Sequence, residues 1–278
     1  MPTSVVPGSL RTAAVTSSDG TRIAYRQSGT GPALVMVHGA MADHSTLSRV
    51  VPLLTPHVTV YAVDRRGRGS SGDGPDYALE REYDDVAAVV DAVAEQTGGP
   101  VTLYGHSFGA TVALGAALRT PRVGRLALYE PAFRGVFDYP PGLLGRLGAL
   151  VATGRSEEAV TVAFRERVGL SPGDVDTLRN LPSWASRVDA ARTVSRELEL
   201  DATLAFDPAP YRDLAVPTLL LLGERSPSGQ RSIVHAIDAA LRDSRIVDLP
   251  GQGHMAQTTA PELVATALVR FVPGVDES

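Results

Sequence analysis

Six short apolar runs, at 33–38, 58–63, 101–105, 126–129, 217–222 and 245–249, are rich in β-branched residues and bounded by Gly, Pro or charged residues. Runs this short and this apolar suit strands buried on both faces, the condition of a parallel sheet. Amphipathic helix patterns lie between them. Leu79, Tyr83, Val86, Val90 and Val93 recur at steps of four and three and share one face, the opposite face is acidic, and Gly98-Gly99 can end the helix. Segments 11–17 and 21–27 flank Ser18-Asp19-Gly20 and predict an antiparallel hairpin leading into the sheet. Near the C-terminus, Thr259 and Glu262 stand at capping-box spacing with Pro261 between them, which predicts a last helix with Leu263, Leu268 and Phe271 facing inward. About eight strands alternating with helices specify a doubly wound α/β sheet.

The alternation breaks between 132 and 212, where helix-like patterns around 143–151, 157–168 and 184–200 are punctuated by Pro140-Pro141, Pro172-Gly173 and Pro182. Helices inserted at the carboxyl ends of parallel strands lie over the ligand crevice, so this stretch is expected to be a lid. The division predicted is a core in two parts, 1–131 and 213–278, with a helical cap at 132–212. A chain of 278 residues with 44% hydrophobic content can bury such a core.

Gly105-His106-Ser107-Phe108-Gly109 has a strand pattern before it and an alanine-rich helix pattern after it. That setting gives a G-x-S-x-G sequence its chemical meaning: the serine sits at a tight strand-to-helix corner, and small flanking residues let the backbone turn. The helix then begins under the hydroxyl, and its first amide, that of Phe108, can stabilise an oxyanion. The alternative is a glycine-serine turn that only packs helix on strand. Other nucleophiles are limited by composition. There is no cysteine, and all 26 basic residues are arginine, so thiolate chemistry, Schiff bases and a P-loop lysine are excluded.

With these residues the chain resembles the α/β-hydrolase fold family from about Thr21 to Phe271. Val37-His38-Gly39-Ala40 looks like the family's oxyanion turn, which implies a second donor at the amide of Ala40, or of Met41. The run Asp64-Arg65-Arg66-Gly67-Arg68-Gly69-Ser70-Ser71 looks like its D-x-R-G-x-G-x-S loop, with Asp64 and the arginines structural. The same loop also reads as G-x-G-x-x-G, but a polar, Pro-containing segment follows it where a dinucleotide site needs a helix, so no cofactor is expected.

Of six histidines, His254 lies after the last strand in the glycine-flanked loop Gly251-Gln252-Gly253-His254, which resembles the family's histidine loop. His38 and His106 are expected to hydrogen-bond backbone; His44, His57 and His235 read as solvated or packing residues. No H-E-x-x-H spacing occurs and no metal is expected. The acid departs from the commonest family pattern: Ser226 stands in Gly223-Glu224-Arg225-Ser226-Pro227 where many relatives carry aspartate. The resemblance implies Glu130, at the end of Leu128-Tyr129-Glu130, with Glu224, a Ser–His dyad or another acid as alternatives.

The resemblance implies a hydrolase forming an acyl-enzyme on Ser107, with His254 and Glu130 completing a triad and the amides of Ala40 and Phe108 holding the oxyanion. An ester, lactone or thioester of a hydrophobic small molecule is the expected substrate, with Met41, Phe108, Trp184 and Met255 as candidate lining. Carbon–carbon bond hydrolases, perhydrolases and type II thioesterases share this machinery, and a non-hydrolytic cyclase or binding protein remains open because Ser226 is not an acid. Dehalogenases and epoxide hydrolases of the family carry aspartate where Ser107 stands. The net charge of −5 and scattered arginines argue against nucleic-acid or membrane partners. Without an apolar leader or spanning run a cytoplasmic protein is expected, and homo-oligomerisation is left open.

Overall fold

The strands are β1 (Arg11–Thr16), β2 (Arg22–Gly29), β3 (Ala33–Val37), β4 (Thr59–Val63), β5 (Val101–His106), β6 (Val123–Tyr129), β7 (Thr218–Gly223) and β8 (Ser244–Leu249) in a computed structural model that describes residues 10–137 and 139–275. They form one sheet in the order β1-β2-β4-β3-β5-β6-β7-β8. The first two strands form the expected antiparallel hairpin, β2 runs antiparallel to β4, and every later pairing is parallel. The first nine residues, part of the stretch whose sequence shows no apolar leader, lie outside the described residues. Among those described, no helix is long and apolar enough to cross a membrane.

Side-chain alternation along the parallel strands builds a core on each face of the sheet. Val35, Val37, Leu103, Leu220 and Leu222 face one cluster, which holds Val86, Val89, Val90 and Val93 of α2 (Leu79–Thr97) and the buried face of α9 (Ser228–Ala240). Leu34, Met36, Tyr104, Leu219 and Leu221 face the other, closed by Leu54 of α1 (Val51–Leu54) and by Val264, Leu268 and Phe271 of α11 (Pro261–Phe271). Helix α3 (Phe108–Ala116) is buried on all sides, as its uniformly apolar sequence requires.

β3 lies between β4 and β5, so the chain leaves β3 toward one side and returns through β5 on the other. This reversal opens a crevice beyond the carboxyl ends of β3 and β5. Between β6 and β7 the described residues form only helices: α4 (Leu143–Ala152), α5 (Ser156–Glu166), α6 (Pro172–Arg179), α7 (Trp184–Asp189) and α8 (Val194–Thr203), with short 3-10 turns. Met41, from the loop after β3, inserts among Leu143, Leu147, Ala163 and Leu198 of these helices and joins their core to the sheet's crevice.

Two local expectations differ from the structure. Pro172-Gly173 does not interrupt the chain but opens α6, because Ser171 and Asp174 form a reciprocal capping box and Pro is tolerated in a first helical turn. The capping box expected from Thr259 does not form. Thr259 closes the short α10 (Ala256–Thr259) and its hydroxyl donates to Gln252, while Ala260 precedes α11 with Pro261 in its first turn.

Gly109 allows α3 to lie directly against the end of β3: a methyl group there would meet the carbonyl of Val37 at 2.6 Å and overlap that of His38. Both obstacles are backbone and cannot rotate away. Gly109→Ala is therefore expected to destabilise the fold by about 2–3 kcal/mol, read from the denaturant midpoint at unchanged m-value.

Candidate active site

Ser107 follows β5 with φ 55° and ψ −125°, a left-handed backbone that β5 imposes by turning at once into α3. Its amide donates to Tyr129 O at 2.9 Å, and its carbonyl accepts from the amides of Ala110 and Thr111. The residue is buried, and its neighbour Phe108 presents the first amide of α3, which has no acceptor within the helix. Phe108's ring turns away into the core under the Arg65 guanidinium, 4.7 Å from its centroid, so this residue offers the crevice its backbone and not its side chain.

His254 lines the same cavity as Ser107. Its Nδ1 donates to Glu130 Oε2 at 2.7 Å, which fixes the tautomer and leaves the Nε2 lone pair free to accept a proton. Glu130 is fully buried at the end of β6, and its other oxygen accepts from the Gly223 amide at 2.7 Å and from Ser226 Oγ at 2.5 Å. Ser226, read as a missing acid, thus donates a hydrogen bond to the acid. Glu224 lies elsewhere: its Oε2 accepts from the amide of Gly251 at 2.6 Å and clamps the base of the histidine loop. Phe137 meets the His254 ring edge-on with centroids 5.0 Å apart, and Tyr129 donates its hydroxyl proton to Gly253 O.

His38 and His106 hold the surrounding backbone. His38 Nδ1 donates to Gly39 O at 2.9 Å and its Nε2 accepts from the Arg65 amide at 3.2 Å. His106 Nε2 donates to His254 O, and its Nδ1 accepts from the side-chain amide of Gln257, each at 2.9 Å. Both rings are neutral in this setting. Burial and the charges of Arg65 and Arg68 push His38 down from 6.5 to about 4, and burial with the nearby His254 pushes His106 well below its ordinary value.

A buried ion cluster fixes the turn after β3. Arg65 binds Glu82 of α2 through Nε and NH2 at 2.7 and 2.6 Å, Glu197 of α8 at 2.8 Å and Gly39 O at 3.1 Å. Arg68 binds Glu197 at 2.6 Å. Burial alone would raise Glu82, but Arg65 and Arg68 overcome it and hold the carboxyl at about 2. The acidic face of α2 is therefore partly a buried surface. Glu197 Oε2 also accepts the Met41 amide at 3.3 Å, which engages that donor of the turn.

The cavity has a volume of about 30 Å³; Ala40, Met41, Ser107, His254 and Met255 line it. Phe164, Arg167, Arg187 and Gln257 line it as well, and none of these four belongs to a motif in the sequence. Two arginines in the wall make it less apolar than expected. Trp184 is not in this lining. It lies in the core of the helices between β6 and β7, near Phe164, ring centroids 6.5 Å apart, and donates to Glu157 at 3.2 Å, because the apolar side of α7 faces α5. Among the described residues only Asp43, His44 and Asp64 bring three potential metal-ligand atoms within 4.8 Å. Asp64 there accepts from the amides of His44 and Ser70 and pairs with His44 Nδ1 at 2.6 Å, so these groups already have protein partners.

A profile of the alpha/beta hydrolase family matches residues 34–267. The chain is 27% identical over 271 residues to the 2-(acetamidomethylene)succinate hydrolase of Mesorhizobium japonicum, an alignment covering 89% of this chain and 90% of that protein. It is also 27% identical over 268 residues to the pimeloyl-(acyl-carrier protein) methyl ester esterase of Xanthomonas oryzae pv. oryzae, covering 89% and 97%. Among solved structures, an alpha/beta hydrolase from Sphaerobacter thermophilus superposes with a TM-score of 0.80 at 37% identity, over 93% of this chain and 99% of that one.

Glu130→Gln is expected to lower kcat on a short-chain ester by about two orders of magnitude or more, and Glu224→Gln by less than about tenfold; parallel turnover assays check this. The two neutral histidines set a pH dependence. His38 binds its proton more weakly folded, at about 4, than at its ordinary 6.5, so the unfolded state carries the extra proton between these values and stability rises with pH across that window. Denaturant titrations across it should show the rise, and His38→Gln should flatten it by up to about 1.4 kcal/mol per pH unit.

Proposed function

The chain belongs to the alpha/beta hydrolase family, and from that premise we propose that it hydrolyses a carboxylic ester or lactone through an acyl-enzyme on Ser107. It is a hydrolase, as are the relatives it matches. The observation that carries the finer reading is the 2.7 Å bond from His254 to buried Glu130 beside a serine at a strained strand-to-helix corner.

In the proposed reaction His254 Nε2 takes the hydroxyl proton as Ser107 Oγ bonds to the substrate carbonyl carbon. The carbonyl oxygen becomes an oxyanion held by the amides of Ala40 and Phe108. Glu130 stabilises the imidazolium without taking its proton. Collapse of the tetrahedral centre breaks the bond to the leaving oxygen, which takes the proton from His254 and departs as an alcohol. Water then attacks the acyl-enzyme, His254 accepts its proton and returns it to Ser107 Oγ, and the carboxylic acid leaves. The methyl ester esterase among the relatives supports an ester as the bond cleaved. A lactone follows the same course, with the leaving alcohol still tethered to the acyl group.

A fluorophosphonate is expected to label the wild type once, at Ser107, and to leave Ser107→Ala unlabelled and inactive on methyl esters. Intact-protein mass spectrometry reads the adduct. Labelling at another residue, or equal turnover by Ser107→Ala, would remove the basis of this mechanism.

A further inference from the structure

We infer that the substrate carries a free carboxylate, bound by Arg187, in addition to the carbonyl attacked at Ser107. This rests on the ester-hydrolase reading and narrows its substrate class. Arg187, on α7 of the cap, is 4% exposed and lines the same small cavity as Ser107 and His254. Five arginines are buried among the described residues, and four of them have a carboxylate partner: Arg65 with Glu82 and Glu197, Arg66 with Asp85, Arg68 with Glu197, and Arg167 with Asp201. Arg187 has no such ion pair. Its NH1 donates to Met41 O at 3.3 Å, its Nε has no acceptor, and the Phe164 ring lies 5.2 Å from its Cζ. Asp43 acts on Arg187 only at longer range, and its Oδ1 is taken by the amide and hydroxyl of Ser45 at 2.8 and 2.5 Å.

A buried guanidinium without a counter-ion carries an uncompensated desolvation cost, which a bound anion offsets. The planar fork of donors matches a carboxylate in two parallel hydrogen bonds. Arg167 cannot serve in the same way, because Asp201 neutralises it and Tyr139 accepts from its Nε at 2.7 Å. The preferred substrate is thus a half-ester of a short dicarboxylic acid, or a lactone bearing a carboxyl substituent, and each turnover adds a second carboxylate to the product.

The test compares kcat/KM for monomethyl succinate, glutarate and adipate with that for methyl butyrate, valerate and hexanoate, in wild type, Arg187→Met and Arg187→Lys. Wild type should prefer the best half-ester over its neutral counterpart by about thirtyfold or more. Arg187→Met should bring that ratio close to one, and Arg187→Lys should restore part of it. If the variants fail to fold, protection of wild-type Ser107 from a fluorophosphonate is read instead: glutarate or adipate should slow labelling, and the corresponding diamides should not. Labelling at Ser107 without a half-ester preference, an unchanged ratio in Arg187→Met, or protection by inorganic phosphate but not by dicarboxylates would overturn the inference while leaving the serine mechanism intact. Failure of any ester to turn over together with failure of Ser107 to label would overturn the mechanism beneath it.

Discussion

Met41, Ser107 and Glu130 are the three residues other than glycine with positive φ among those described, at 49°, 55° and 48°. Each comes after a parallel strand at the carboxyl end of the sheet; Met41 and Ser107 line the crevice, and Glu130 reaches it through His254. Such backbones cost about 1–3 kcal/mol apiece and persist only where neighbours over-determine them. Here each strained amide is held by a different neighbour: Ser107 N by Tyr129 O of β6, Glu130 N by Leu221 O of β7, and Met41 N by Glu197 of α8. The strain at one strand end is thus resisted by the next strand over. The whole sheet, not the loops alone, holds the serine and the carboxylate where the proposed chemistry needs them.

The helices between β6 and β7 are tied into this arrangement by charge. Glu197 reaches from α8 to Arg65, Arg68 and the Met41 amide, while Arg65 also grips Glu82 and Gly39 O. A buried cluster of this kind is a weak source of net stability but a strong geometric specification, because removing one member leaves another charge unpaired. It sets the path of the turn that carries Ala40 and ties that turn to α8. Arg187 of α7 donates to the Met41 carbonyl in the same region, a second tie between these helices and the turn.

The sheet, its hairpin and the strand-to-helix corner were legible because each is a local pattern: short β-branched runs, one amphipathic period, glycines on both sides of Ser107. The buried role of Glu82 was not, because a carboxylate on a helix face reads as solvated until the arginines opposite it are placed. Ser226 was read correctly as uncharged, but only its contact with Glu130 showed that a hydroxyl has a use there. Trp184 and Phe108 were misplaced for the same reason: the type of a side chain does not reveal the direction in which a helix presents it. Arg187 and Gln257 belong to no motif, and only the packing of α7 and α10 against the crevice brings them to the wall.

Ser226 and Glu130 meet at 2.5 Å although they come from different strands. The place occupied by the carboxylate can therefore be reached from either strand without moving the imidazole it serves. Two acids there would repel, and none would leave the ring without an anchor, so the arrangement calls for one charged position and one small neutral donor, which is what Glu130 and Ser226 supply.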